Sequence, residues 1–243
     1  MSSDGRYLAV TEPLKDQACV FDVRNPGPKV VLAPHPRVDR VALSPDGRWA
    51  ATASFYDTLV KVWDAHSGEL LRSFNMPDRA YVTFSPDGRW LAASSSQYQL
   101  WEVGSWQPKG PPTPGFQGLA ANFTAFSPDG KLMARSDGQK ILWLETLTEK
   151  PLATLEPLGR TSVQKFQFSP DGAKLAVAQN DQQVELWDLR LIRQELAQMH
   201  LDWDMPPYPP VSNSPGEGPV TLEIEPDSDS PDPALSQTNS AAR

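Results

Sequence analysis

Ser44-Pro45-Asp46-Gly47-Arg48-Trp49-Ala50-Ala51 decides the fold, because most of it returns. Ser85-Pro86-Asp87-Gly88, Ser127-Pro128-Asp129-Gly130 and Ser169-Pro170-Asp171-Gly172 follow in an even register. A degenerate copy, Ser2-Ser3-Asp4-Gly5, lies one step of that register before the first. The step is about 42 residues, within the range of repeat architectures. In such a tetrapeptide proline presets φ, aspartate bonds nearby backbone and glycine takes a left-handed conformation without a Cβ penalty, which is hairpin-turn chemistry. Four copies follow an apolar strand-like run, such as Val38-Asp39-Arg40-Val41-Ala42-Leu43. After each glycine the third residue is apolar (Leu8, Ala50, Leu91, Met133, Leu175) and the fourth is alanine (Ala9, Ala51, Ala92, Ala134, Ala176). Neighbours on a strand face opposite sides, so this strand is expected to be buried on both faces, with another sheet packed closely over the alanine side.

A second strand ends in an aromatic at a nearly constant separation after each motif serine: Val20-Phe21-Asp22, Val62-Trp63-Asp64, Leu100-Trp101-Glu102, Leu142-Trp143-Leu144 and Leu186-Trp187-Asp188. Short strands, tight turns, two-sided burial and a repeat of this length describe small sheets stacked around an axis, a β-propeller. The punctuation by 25 prolines and 15 glycines in 243 residues excludes a bundle of long helices, and no apolar run approaches a membrane span.

The Ser-Pro-Asp-Gly turn and the Trp-Asp strand end resemble the WD-repeat (WD40) family over roughly residues 1–188. The resemblance implies four antiparallel strands per repeat, braced by a His, Ser/Thr, Asp and Trp hydrogen-bond set. The second repeat matches that set best, with His35, Ser54, Asp57 and Trp63, His35 sitting one residue closer to the turn than is usual. Asp137 with Trp143 and Asp181 with Trp187 keep the Asp-to-Trp spacing without a matching histidine. The propeller of TolB-like proteins and prolyl peptidases, which also uses a Ser-Pro-Asp-Gly turn, is a rival, although its repeats usually end in a Tyr-Val-x-Asp-like strand.

A closed seven-blade ring at this period takes about 290 residues. The expectation here is an incomplete propeller of about five repeats, the first lacking its inner strand because Met1 stands where the others have Leu43, Phe84, Phe126 and Phe168. Residues 189–210 read as a terminal helix, with Leu189, Ile192, Leu196 and Met199 on one face, followed by a Pro-rich cap. Residues 211–243 read as an acidic, Pro/Ser-rich, mostly disordered tail, with Val220–Glu225 alternating like a strand that could join an open sheet edge. The run Leu201–Pro210 resembles the C-terminal end of large bacterial WD-repeat proteins, many with a serine/threonine kinase domain ahead of the propeller, so the chain reads as the C-terminal part of something longer.

The formal charge is −8, and the tail carries much of it. A nucleic-acid footprint or attachment to an anionic membrane, both of which need clustered basic residues, is therefore not expected. Cys19 is the only cysteine, and His35, His66 and His200 stand far apart, so neither a disulfide framework nor zinc-ligand spacing exists. No Gly-x-Ser-x-Gly elbow and no kinase motif occurs. Asp46, Asp87, Asp129 and Asp171 recur at identical turn positions, as structural residues do. Cys19 reads as a small core residue.

The reading is therefore a non-catalytic protein-interaction scaffold without catalytic residues, cofactor or metal, binding protein partners or an upstream domain of a parent chain. The alternative is the regulatory or substrate-gating propeller of an enzyme, a kinase or a TolB/prolyl-peptidase-like hydrolase, whose catalytic part lies elsewhere. No signal peptide is encoded at Met1–Arg6, and the family default is cytoplasmic. In propellers the loops joining strand two to three, and blade to blade, share one rim; there Phe55, Tyr56, Arg79, Tyr98 and Arg160 are the candidate contacts, because aromatic and arginine side chains dominate binding hot spots. Asp78, Gln97 and Arg37 lie beside them.

Overall fold

The computed structural model describes residues 1–54, 56–114, 123–136, 138–157, 162–180, 183–202 and 208. The chain divides into two units, Met1–Tyr208 and Pro209–Arg243, and the second lies outside the described residues, as does the expected strand Val220–Glu225.

The first unit is a series of five antiparallel sheets, each built from consecutive hairpins. Blade 1 is β1 (Tyr7–Glu12), β2 (Gln17–Asp22) and β3 (Val30–Leu32). Blade 2 is β4 (Val38–Leu43), β5 (Trp49–Ser54), β6 (Leu59–Asp64) and β7 (Leu70–Asn75). Blade 3 is β8 (Tyr81–Phe84), β9 (Trp90–Ser94), β10 (Gln97–Glu102) and β11 (Thr113–Pro114). Blade 4 is β12 (Thr124–Phe126), β13 (Leu132–Ser136), β14 (Ile141–Glu145) and β15 (Pro151–Leu155). Blade 5 is β16 (Val163–Phe168), β17 (Lys174–Gln179) and β18 (Val184–Asp188), and α1 (Leu189–Gln198) follows directly. Among the described residues blade 1 has no strand inside β1, and this is the architecture of an incomplete β-propeller.

The recurring tetrapeptide closes each hairpin by one hydrogen-bond scheme. In the second copy Ser44 Oγ donates to Asp46 Oδ1 (2.5 Å) and accepts from the Trp49 N–H (2.8 Å), while Asp46 Oδ1 also accepts from the Arg48 N–H (3.0 Å). The same set recurs at Ser2, Ser85, Ser127 and Ser169, with the turn glycine at φ between 68° and 72° each time. The scheme needs one hydroxyl that both gives and receives, so Ser2 keeps the turn even where proline is lost.

The core lies between blades. Ala50 and Trp63 face Ala18, Val20 and Leu32 of blade 1; Leu91 and Trp101 face Ala51, Val60 and Val62 of blade 2; Leu175 and Phe168 face Ala134, Ile141 and Trp143 of blade 4. Each middle strand thus buries its apolar residue against the preceding blade and its alanine against the following one. The expected two-sided burial holds in blades 2 to 4 and fails at the two ends. Leu8 is 38% exposed and Ala176 half-buried, because among the described residues blade 1 has no sheet before it and blade 5 none after it.

The register corrects one sequence equivalence. Ala50 pairs with Trp63 and Leu91 with Trp101, but Met133 pairs with Leu144, and Trp143 stands opposite Ala134. Trp143 is therefore one residue out of step, and a one-residue step turns a side chain to the opposite face. It packs edge-on against Phe168 of blade 5, at 5.3 Å between ring centroids, whereas Trp101 stacks on Phe74 of blade 2 at 4.4 Å.

Helix α1 starts at Asp188, whose carboxylate accepts from the N–H groups of Arg190 and Leu191. Leu189 and Ile192 pack on blades 4 and 5, but Met199 is 56% exposed: it caps the helix and lies past the last turn that reaches the sheet. The fourth contact position on that face is Arg193, buried and paired with Asp202 at 2.9 Å.

Candidate functional site: the brace of blade 2 and the loop rim

Blade 2 carries a buried side-chain network. The Trp63 indole N–H donates to Thr52 Oγ1 at 2.7 Å, and the same oxygen lies 2.7 Å from His35 Nδ1. Indole can only donate, so Thr52 accepts from Trp63, and the same hydroxyl, with one proton and a second lone pair, is the hydrogen-bond partner of His35 Nδ1. Nε2 points toward Asp57 Oδ2 at 3.9 Å, an ion-pair distance too long for a hydrogen bond. His35 is fully buried, and burial, with the nearby Lys61 charge, pushes it down to about 4 against the opposing pull of Asp57. It is a neutral structural histidine.

Ser54 is not the hydroxyl of this set. It shares a strand face with Thr52 but stands two residues, about 7 Å, farther along β5. There it donates to the Arg37 carbonyl (3.0 Å) and accepts from the Tyr56 N–H (3.1 Å), fastening the rim rather than the indole. The register places Val10, Ala93, Arg135 and Val177 at the Thr52 position of the other blades, so the network occurs once among the described residues. The Trp187 indole donates instead to Glu185 on its own strand at 2.8 Å. Asp137 and Asp181 lie outside the described residues.

The β5–β6 type of loop and the blade-to-blade connections do meet on one rim. The Arg37 N–H donates to Asp16 of the β1–β2 turn at 2.7 Å, and the Ser96 N–H of the β9–β10 turn donates to Asp78 at 3.2 Å. In blade 5, Asn180 Nδ2 donates to Ser162 Oγ at 2.5 Å. On this rim the Arg37 guanidinium lies 4.5 Å from the centre of the Tyr56 ring, which is 68% exposed, and Arg79, next to Asp78 in sequence, is half-buried. Phe55 and Arg160 lie outside the described residues.

Tyr98 does not belong to the rim. It is 1% exposed, between blades 3 and 4, with its hydroxyl directed at Met133 Sδ (2.6 Å) and Arg135 4.2 Å from its ring centre. Burial holds its phenol well above the usual tyrosine range. The Ser95-Ser96 turn is so tight that Tyr98 already lies within β10, at the register of Val60, an inter-blade core position.

Sequence reasoning passed over the axial cleft, about 470 Å³, lined by successive inner strands: Arg40 from β4, Tyr81 and Thr83 from β8, Thr124 from β12, Lys165 and Gln167 from β16. Arg40 is spoken for, since it pairs with Asp39 at 3.0 Å and donates to the Tyr81 hydroxyl at 3.1 Å. Cys19 is buried, and burial raises its thiol, so it is not a poised nucleophile. Among the described residues no group of three or more His, Cys, Asp or Glu is placed to hold a metal ion, and no helix is long and apolar enough to cross a membrane.

Stacked antiparallel blades closed by Ser-x-Asp-Gly turns, with a His–Thr–Trp brace and one loop-built rim, define a propeller of repeats. The family model "WD domain, G-beta repeat" matches residues 27–64 and 149–188, so the chain carries WD40 repeats at these two places. Among solved structures, Kuenenia stuttgartiensis hydrazine synthase is similar, with a TM-score of 0.63 and 18% identity over 74% of this chain and 54% of that one. At that identity the likeness concerns the fold alone. The chain thus spans about half of that structure's length. Among curated proteins no sequence matches.

Proposed function

We infer that this chain is a non-catalytic scaffold whose loop rim binds a protein partner. WD40 repeats generally mediate protein–protein interaction, and the observation that carries the reading here is the Arg37–Tyr56 pair on a rim held by side-chain-to-backbone bonds. An arginine stacked on an exposed tyrosine presents a large, pre-ordered contact area whose burial loses little side-chain entropy. Arg79 extends the same surface, and Phe55 and Arg160 belong to it by sequence position.

The test is comparative capture from the source cells with three baits: the wild-type chain, Arg37→Ala/Tyr56→Ala, and Glu69→Ala on the opposite rim. The reading requires a protein that is enriched by the wild type and by Glu69→Ala and is lost with the double variant. Equal recovery with all three baits would remove the rim from the function.

A further inference from the structure

The axial cleft is a cavity that neither the brace nor the rim uses. Its volume, about 470 Å³, lies within the range of small-molecule sites, and its wall is made by four consecutive inner strands, β4, β8, β12 and β16. In a chain of formal charge −8, the described lining holds two cations, Arg40 and Lys165, and no carboxylate. Its apolar part is largely aromatic. The rings of Tyr81 and Phe123 lie 4.6 Å apart between centres, and Phe84, Phe126 and Phe166 belong to the same wall.

The polar groups of this lining have hydrogens left to give. The Tyr81 hydroxyl accepts from Arg40 Nη2 at 3.1 Å, so its own proton remains to be donated. Ser94 and Thr124 share one hydrogen bond, 2.5 Å between their oxygens; two hydroxyls carry two protons, and that bond uses one. Lys165 and Gln167 stand two residues apart on one face of β16, and among the described residues neither side chain has an ion-pair or hydrogen-bond partner. Asp39, which is not part of the lining, offsets Arg40 at 3.0 Å, so the ammonium of Lys165 is the uncompensated charge. A surplus of donors, one net positive charge and an aromatic wall suit a ligand with one negative charge and a hydrocarbon body. We propose that the axial cleft binds an organic monocarboxylate, its carboxylate toward Lys165 and Thr124 on neighbouring inner strands and its apolar body against the aromatic wall. The site asks nothing of the Arg37–Tyr56 pair on the rim.

Ligand-observed NMR titration of the 243-residue chain tests this with four probes: phenylbutyrate, its neutral amide phenylbutyramide, phenylbutylamine and inorganic phosphate. Phenylbutyrate binds about tenfold more tightly than the amide, the size expected of a charge-assisted hydrogen bond, and the amine does not bind. Lys165→Met removes the preference for acid over amide. Gln167→Glu, which puts a carboxylate into the lining, abolishes phenylbutyrate binding, whereas Lys174→Met, the same loss of charge at the turn end of β17, changes nothing. All three positions are exposed, so urea midpoints stay at the wild-type value; Lys165→Gln serves if the methionine perturbs folding. Equal affinity for acid and amide, or acid binding undiminished in Lys165→Met, would overturn the proposal and leave a merely apolar cavity. No binding of phenylbutyrate at millimolar concentration would overturn it outright. Phosphate binding more tightly than phenylbutyrate would overturn the carboxylate assignment in favour of a phosphate site.

Discussion

The Thr52 hydroxyl sits between two buried ring nitrogens, so its removal strands both. Leaving buried polar groups unpaired costs about 1–3 kcal/mol. Thr52→Val should lower stability by that amount in urea unfolding, and Thr52→Ser should restore most of it; equal stability of Thr52→Val and wild type would contradict the brace. His35 adds a pH dependence. Its folded value, about 4, lies below the ordinary 6.5, so between these limits the unfolded chain binds more protons. The stabilisation is complete above pH 6.5 and is lost as pH falls toward 4, by at most about 3 kcal/mol. The wild type should lose more stability over that window than His35→Gln, measured by urea midpoints at pH 7 and pH 4.5.

At the scale of the element, the hairpin turns differ in how much they tolerate. Gly47 and Gly88 share φ of 72°, so an alanine at either pays the left-handed penalty, about 1–2 kcal/mol. A Cβ at Gly47 would also run into the Tyr7 ring, while at Gly88 the nearest atom is Pro45 Cδ at 3.9 Å. Gly47→Ala should therefore be the more destabilising, and thermal unfolding of the two variants checks the order. The same four-residue sequence has unequal surroundings because blade 1 lies over the second turn. Sequence alone could not show this: the turn chemistry is local, but Tyr7 reaches Gly47 only through packing.

In the whole molecule, stability of a repeat array is close to a sum of blade terms and nearest-neighbour terms. Among the described residues blades 2 to 4 have two neighbours each and blades 1 and 5 have one. Native-state hydrogen exchange should therefore open β1–β2 and β17–β18 at lower free energy than β5–β6, β9–β10 and β13–β14. Uniform protection would mean that the end sheets are covered.

The sequence alone determined the repeat period, the five hairpin turns and the helix after Asp188, because these depend on local turn chemistry and on apolar periodicity matched to strand or helix. The rim was legible in part: Tyr56 and Arg37 stand where loop position puts them, but Tyr98 does not, since a shortened turn draws it into the strand. Only the tertiary structure decided which hydroxyl braces Trp63, which way Trp143 faces and which sheets lack a neighbour among the described residues. The physical reason is common to all three. A strand alternates faces at every residue, so pattern shows that a side chain is buried, but register and the adjoining blade decide against what.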